Sequence, residues 1–227
     1  MLSALPGFNR MENKMKKGLC LILALTLCLG SVFALASCKK EKDIYDIAAE
    51  LAPTKTVTSV DYTAANGDDL SAWYTLESDG DDSIFTYEYK RYRTPEEAIE
   101  DNDPNKIKII PGKLYCKDGK VSEDGINWTS SPVPTTISLN LTPDKLDGAV
   151  ISEDGKTLTA TLTKENAVAV IGTDLSIAAD GVLSLTVKSN GTYLTEVVIS
   201  CTTAEGAAVC VRTSYSYNKL TLEFPEA

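Results

Sequence analysis

The chain has 227 residues with 22 basic and 32 acidic side chains, no histidine, and a net charge of −10 at neutral pH. Without histidine, a Ser-His-Asp triad, a Cys-His dyad and histidine metal sites are excluded; the negative charge disfavours nucleic acid and anionic lipid surfaces as partners. No carboxylate pair stands out by spacing for acid–base chemistry, and there is no Gly-rich phosphate loop or CxxC, so the chain reads as a non-enzyme with no catalytic residue, metal site or cofactor.

Residues 1–10, MLSALPGFNR, have no signal character, whereas Met11 or Met15 would each open a compact cationic segment, so translation is expected to start at one of the two. Lys14, Lys16 and Lys17 precede an apolar run over residues 19–34 and then Leu35, Ala36, Ser37 and Cys38. This is the layout of an export signal. The run is broken by Gly30 and is shorter than the roughly 20 residues that span a bilayer. Leu35-Ala36-Ser37-Cys38 resembles the bacterial lipobox, which implies that Cys38 is alkylated by diacylglycerol and becomes the first residue of the mature protein. The alternatives are an ordinary cysteine after a Leu-Ala-Ser cleavage site, or a buried helix over residues 16–37. Each buried methylene contributes about 0.8 kcal/mol, and two acyl chains suffice for stable attachment. The lipobox reading divides the chain into a signal (1–37), a lipid-anchored tether with a short helix (38–52) and a β-rich domain (53–227). It places the protein outside the cytoplasm, anchored to a bacterial membrane, which in a Gram-positive envelope is the outer face of the cell membrane. Residues 38–227 hold 18 basic and 31 acidic side chains, a net of −13.

Three short helices are expected. Ile44, Ile47, Ala48 and Leu51 have helical spacing ahead of Pro53. Thr94, Pro95 and Glu97 form a capping box. Thr163 caps a third helix ending at Gly172, with Ala167, Val168 and Ile171 apolar. Strands fill most of the rest, punctuated by Asn66-Gly67, Asp79-Gly80, Asp118-Gly119, Asp124-Gly125, Asp154-Gly155, Asp180-Gly181, Asn190-Gly191 and Glu205-Gly206. Asn-Gly and Asp-Gly supply the positive φ angles of tight hairpins. The fold class is therefore α+β, a single curved antiparallel β-sheet meander with a few short helices packed on one face. Two acidic stretches, 77–82 and 100–105, read as solvated turns; neither has EF-hand spacing for calcium.

If Asn190-Gly191 and Glu205-Gly206 are two-residue turns, Val187 faces Leu194, Leu185 faces Glu196, Leu183 faces Val198, and Val198 faces Thr213. That register gathers Leu183, Leu185, Val187, Leu194, Val198, Val209, Val211, Tyr215 and Tyr217 on one face, with Glu196 out of keeping among them. It also sets Cys201 opposite Cys210 on the other face at disulfide distance; the alternative is two free thiols. Phe85, Tyr87 and Tyr89 alternate along one strand and share a face, with Trp73 and Trp128 on or beside neighbouring strands. Such a wall is either ordinary core or the lining of an apolar cavity.

KLYCKDGKVSEDGINW (113–128), ISEDGKTLTATLTKENAVAVIG (151–172) and TSYSYNKLTLEFPEA (213–227) resemble elements of the LolA/LppX-like bacterial lipoproteins, a likeness in element order over residues 53–227. The resemblance implies a half-barrel whose concave face, covered by helices, holds an acyl chain or other apolar ligand. Arg91, Arg93 and Arg212 are the only arginines of the exported part. The expected function is a membrane-anchored carrier of an apolar ligand; the alternative is a surface module contacting other envelope proteins.

Overall fold

The computed structural model describes residues 42–100, 105–133, 139–171 and 181–225. The start codon, the signal, Leu35, Ala36, Ser37 and Cys38 lie outside these residues. Ten strands form one antiparallel sheet: β1 (Lys55–Thr63), β2 (Ala72–Asp79), β3 (Asp82–Tyr92), β4 (Ile107–Lys117), β5 (Lys120–Ser122), β6 (Asp147–Ile151), β7 (Thr157–Thr163), β8 (Val182–Ser189), β9 (Leu194–Thr202) and β10 (Ala208–Ser216). Their spatial order is β5-β4-β3-β2-β1-β10-β9-β8-β7-β6, so the sheet is open, with β5 and β6 at its edges. The expected unbroken meander is in fact two meanders of five strands, joined along the middle where β1 pairs with β10. A long connection between Ser122 and Asp147 carries the chain from one edge to the other.

The chain turns at seven of the eight dipeptides, each with its glycine at positive φ, although not always in the tight two-residue form; Asp180 of the eighth lies outside the described residues. At Asp118-Gly119 both residues have positive φ, 51° and 70°, the backbone of a two-residue hairpin whose twist matches its strands. Three helices appear as expected: α1 (Ile44–Ala49), α2 (Pro95–Glu100) and α3 (Lys164–Ile171). Asp43 caps α1, its carboxylate accepting from the Asp46 amide at 2.9 Å. In α2 the capping box closes in both directions, the Glu97 amide donating to Thr94 Oγ1 (3.2 Å) and the Thr94 amide to the Glu97 carboxylate (3.0 Å).

One face of the sheet carries the core. Val60, Tyr74, Leu76, Phe85, Leu158, Leu162, Leu183, Leu185, Val187, Val197, Ile199 and Val211 are buried there. α1 and α3 lie on it, burying Ile44, Ile47 and Ala48 from one and Ala167, Val170 and Ile171 from the other. α2 does not join them, and its Ile99 is 80% exposed. Val168, expected on the apolar side of α3, is instead exposed.

The register of β9 departs from the expected one, for a reason visible in its two turns. Asn190 does not start a two-residue turn. Its side-chain oxygen accepts from the amides of Thr192 and Tyr193, both at 2.9 Å, and its own amide donates to the Tyr193 carbonyl. The loop is longer and ends in a bulge, so Leu185 faces Ile199 and Val187 faces Val197. At the next turn Thr203 pairs with Ala207 around three residues, the Ala207 amide also donating to Thr203 Oγ1 at 3.1 Å, and Val211 faces Ile199. Each slip is odd, and an odd slip reverses every side chain. The two cancel between β8 and β10, so those strands keep the predicted faces. β9 alone is inverted, and only beyond the bulge: Leu194 at its start keeps its expected place in the core.

Three corrections follow. Val198 points to the outer face opposite Arg212, while Val197 and Ile199 take its place in the core. Glu196 also turns outward, between Lys188 at 2.6 Å and Arg212 at 2.7 Å, which removes the anomaly of a carboxylate on the apolar face. Cys201 faces Val209 on the core side and Cys210 faces Ser200 on the outer side. The two thiols are free and on opposite sides of the sheet, so the expected disulfide cannot form. Alkylation of denatured, unreduced mature protein should therefore label three thiols, Cys116, Cys201 and Cys210; intact mass is the readout, and a single label would restore the bridge.

Candidate functional site

The candidate cavity residues divide into two groups. Leu183, Leu185, Val187, Leu194 and Val211 are fully buried beneath the helices and are packed core. Val209 and Tyr215 are half-buried beside them. Tyr217 lies past the end of β10, stacked on Tyr193 at 4.4 Å. On the other half of the same face, β2 and β3 align Leu76 with Phe85, Tyr74 with Tyr87 and Ala72 with Tyr89. This alignment builds an aromatic wall: Tyr74 to Phe85 at 5.8 Å, Phe85 to Tyr87 at 5.6 Å, Tyr87 to Tyr89 at 6.0 Å between centroids. Tyr74 and Phe85 are buried, whereas Tyr87 and Tyr89 are only half covered.

Two features of the wall were not anticipated from the sequence. Gly112 on β4 sits opposite Tyr87, and a Cβ there would lie 2.1 Å from the ring, so glycine is what lets the phenol lie across the strand. Tyr74 is 3% exposed and its hydroxyl has no hydrogen-bond partner among the described residues. A buried phenol usually satisfies its hydroxyl, and burial pushes this one well above the ordinary tyrosine range. The sequence signal was available in AWYTLES, where Tyr74 alternates with exposed Trp73. Trp73, expected near the wall, points to the outer face and is 42% exposed, while Trp128 packs on Phe224 at 6.4 Å.

The wall ends at a charged group. Arg91 and Lys108 are paired positions on β3 and β4, and both reach Glu97 of α2, Arg91 at 2.5 and 2.7 Å and Lys108 at 3.1 Å. The Arg91 guanidinium, with the Thr94 amide, holds the Glu97 carboxyl well below the usual range. Asp69 is lowered to about 2 by Lys90 and Ser71. The amides of Asn127 and Ile126 hold the Asp124 carboxyl well below the usual range. Carboxyls depressed in the folded state contribute stability above their unfolded values of about 4 and lose it as pH falls through the folded values. With no histidine to titrate, thermal midpoints should stay level between about pH 5 and 8 and drop between about pH 4 and 2, as a calorimetric pH series would show.

The outer face holds a groove of about 460 Å³ whose lining includes Asp61, Ser184, Ser200 and Cys210, one row across β1, β10, β9 and β8. The Ser200 hydroxyl lies 3.4 Å from the Cys210 sulfur. Among the described residues no group of three His, Cys, Asp or Glu side chains is placed to hold a metal, and no helix is long and apolar enough to cross a membrane.

No family model matches the chain, and no curated protein matches it. Among solved structures, a redesigned beta barrel is similar at 9% identity over 75% of this chain and 96% of that one, with a TM-score of 0.21. A likeness at that score is no guide to activity.

Proposed function

We propose that the chain is an exported lipoprotein, anchored through a diacylglycerol thioether at Cys38, that shelters an acyl chain or similar apolar molecule against the aromatic half of its core face. The observation that carries the reading is the half-covered wall of Tyr87 and Tyr89 beside a buried Tyr74 hydroxyl that has no partner among the described residues. An apolar surface with one convergent polar group is the usual make-up of a small-ligand site, and a ligand oxygen at Tyr74 would satisfy the hydroxyl. The packed half, under α1 and α3, serves as a rigid back for it. Curvature of the open sheet into a half-barrel belongs to this proposal, as does the likeness to LolA/LppX-like lipoproteins in element order.

Native mass spectrometry of the membrane-extracted protein tests the reading, since a carried lipid appears as added mass. The Tyr87→Ala variant should lose most of that mass while keeping its fold, and a wild-type protein of bare mass that takes up no fluorescent fatty acid would defeat the carrier role. A contact surface for other envelope proteins is the second reading, favoured by Trp73 and Ile109, both exposed on the outer face. Cross-linking in intact cells that yields adducts at Trp73 would support it.

A further inference from the structure

We propose that the aromatic wall takes a long-chain carboxylate, its head displacing the Glu97 carboxylate from Arg91 and Lys108 and its tail lying along Tyr89 and Tyr87. This deepens the carrier reading above and rests on it, with a separate observation behind it, the placement of charge on the core face. In the described strands every core-facing position is uncharged except two, Arg91 and Lys108. They are direct cross-strand partners on β3 and β4, and like charges so placed repel one another. Arg91 follows Tyr89 by one alternation of the strand, about 7 Å, and Tyr87 by two. Its guanidinium is raised chiefly by the hydrogen bonds to Glu97 and further by Tyr89, so the last ring of the wall adjoins the cation. Glu123, which acts on Tyr87, has the wrong sign for an anionic head. The head belongs at the Arg91 end.

Glu97 shows what the pair of cations is shaped to hold. Its two oxygens accept from the two Arg91 Nη atoms at 2.7 and 2.5 Å, and one of them also accepts from Lys108 Nζ at 3.1 Å. A guanidinium engaged through both nitrogens is specific for a planar anion of carboxylate geometry. Two cations around one carboxylate give the cluster a charge of +1, in an exported chain of −13. The present occupant is weakly held. No residue from Pro95 to Ile99 of α2 is buried, and the three charged side chains are 21–29% exposed, a setting in which an ion pair contributes little. An entering carboxylate makes the same bonds to Arg91 and Lys108 and adds the burial of its tail on the tyrosine rings, which Glu97 does not supply. Glu97 is thus an internal competitor, and loading the wall releases α2.

The test incubates the full mature chain, in neutral detergent at pH 7.5, with equal amounts of palmitic acid and methyl palmitate and reads the bound masses by native mass spectrometry. The acid should exceed the ester by about tenfold or more, since hydrogen bonds to two charged groups are at stake. Arg91→Gln should lower occupancy by the acid to a similar degree, whereas Glu97→Gln should raise it several-fold; neither should alter the ester. Both substitutions break the same ion pair, so a purely structural pair would not move the two in opposite directions, and glutamine at 97 still closes the capping box. Should Arg91→Gln fail to fold, the acid-to-ester ratio and Glu97→Gln decide. Hydrogen exchange at Thr94–Ile99 should also quicken with the acid and not with the ester. Equal occupancy by acid and ester, or a Glu97→Gln protein no better at holding the acid, overturns the assignment and leaves the carrier reading standing. Tighter binding of an alkyl phosphate of equal length overturns the carboxylate class. Protein that takes up neither acid nor ester defeats the carrier reading, and this inference with it.

Discussion

Phe85→Ala is expected to destabilise the protein by about 3–5 kcal/mol. Phe85 is 1% exposed, is sandwiched between Tyr74 and Tyr87, and is cross-strand from Leu76. Its removal leaves a cavity that three flanking elements of a hydrogen-bonded sheet cannot collapse to fill. A domain of this size has a net stability of about 5–15 kcal/mol, so the variant gives up a large part of it. At about 2–4 °C per kcal/mol the midpoint should fall by roughly 6–20 °C, as followed by circular dichroism. Tyr87→Ala removes a half-covered ring and should cost far less. That contrast separates the packed part of the wall from the part proposed to meet a ligand. A loss for Phe85→Ala below about 1 kcal/mol would mean that this region is not close-packed.

Ending the chain at Ser216 is expected to cost about 3 kcal/mol, or roughly 6–12 °C. The residues after β10 are not a strand, yet they are held at two distant points. Thr54 Oγ1 donates to the Asn218 carbonyl at 2.7 Å. Phe224 then packs on Tyr115 at 6.0 Å and on Trp128, and Pro225 lies where a side chain on Gly125 would collide with it. Between those points the register runs Ser216, Lys55, Glu77, Ile84, Tyr115 and Ser122 across six strands. The tail follows this row over the outer face. Burying one phenylalanine is worth about 1.5–3 kcal/mol, and the proline and the hydrogen bond supply the remainder. Phe224→Ala alone should give about half the effect; urea titration of both variants checks the ratio.

The turns and the helix caps could be read locally because their signals are local. Asp118-Gly119 needs positive φ at two neighbouring residues, and Thr94 with Glu97 closes its box within four positions. The faces of β8 and β10 were legible for the same reason, since alternation reports burial whichever neighbour a strand has. The pairing of β9 was not. Whether Asn190 and Thr203 begin tight turns or longer loops depends on how their side chains bond to amides two to four residues on, and each choice moves the register by an odd number. Two errors of that kind agree with each other, so internal consistency was no safeguard. The disulfide between Cys201 and Cys210 failed with the register. The wall of Phe85, Tyr87 and Tyr89 was visible as an alternation, but its partner Tyr74 and the glycine that makes room for Tyr87 were not, because both depend on which strands lie alongside.

By itself, the sequence determined a β-rich domain with three short capped helices and the absence of any histidine chemistry, and it carries the motif on which the proposed anchor rests. These follow from residue type and near-neighbour spacing. Tertiary structure alone decided that β1 closes against β10, that β9 turns Glu196 and Cys210 outward, and that the C-terminal tail straps the outer face. It also decided which half of the apolar face is filled by helices and which half remains partly open. Each of these is a contact between residues far apart in the chain, set by competition among many strands for the same hydrogen-bonding edges, and no periodicity within one segment encodes its outcome.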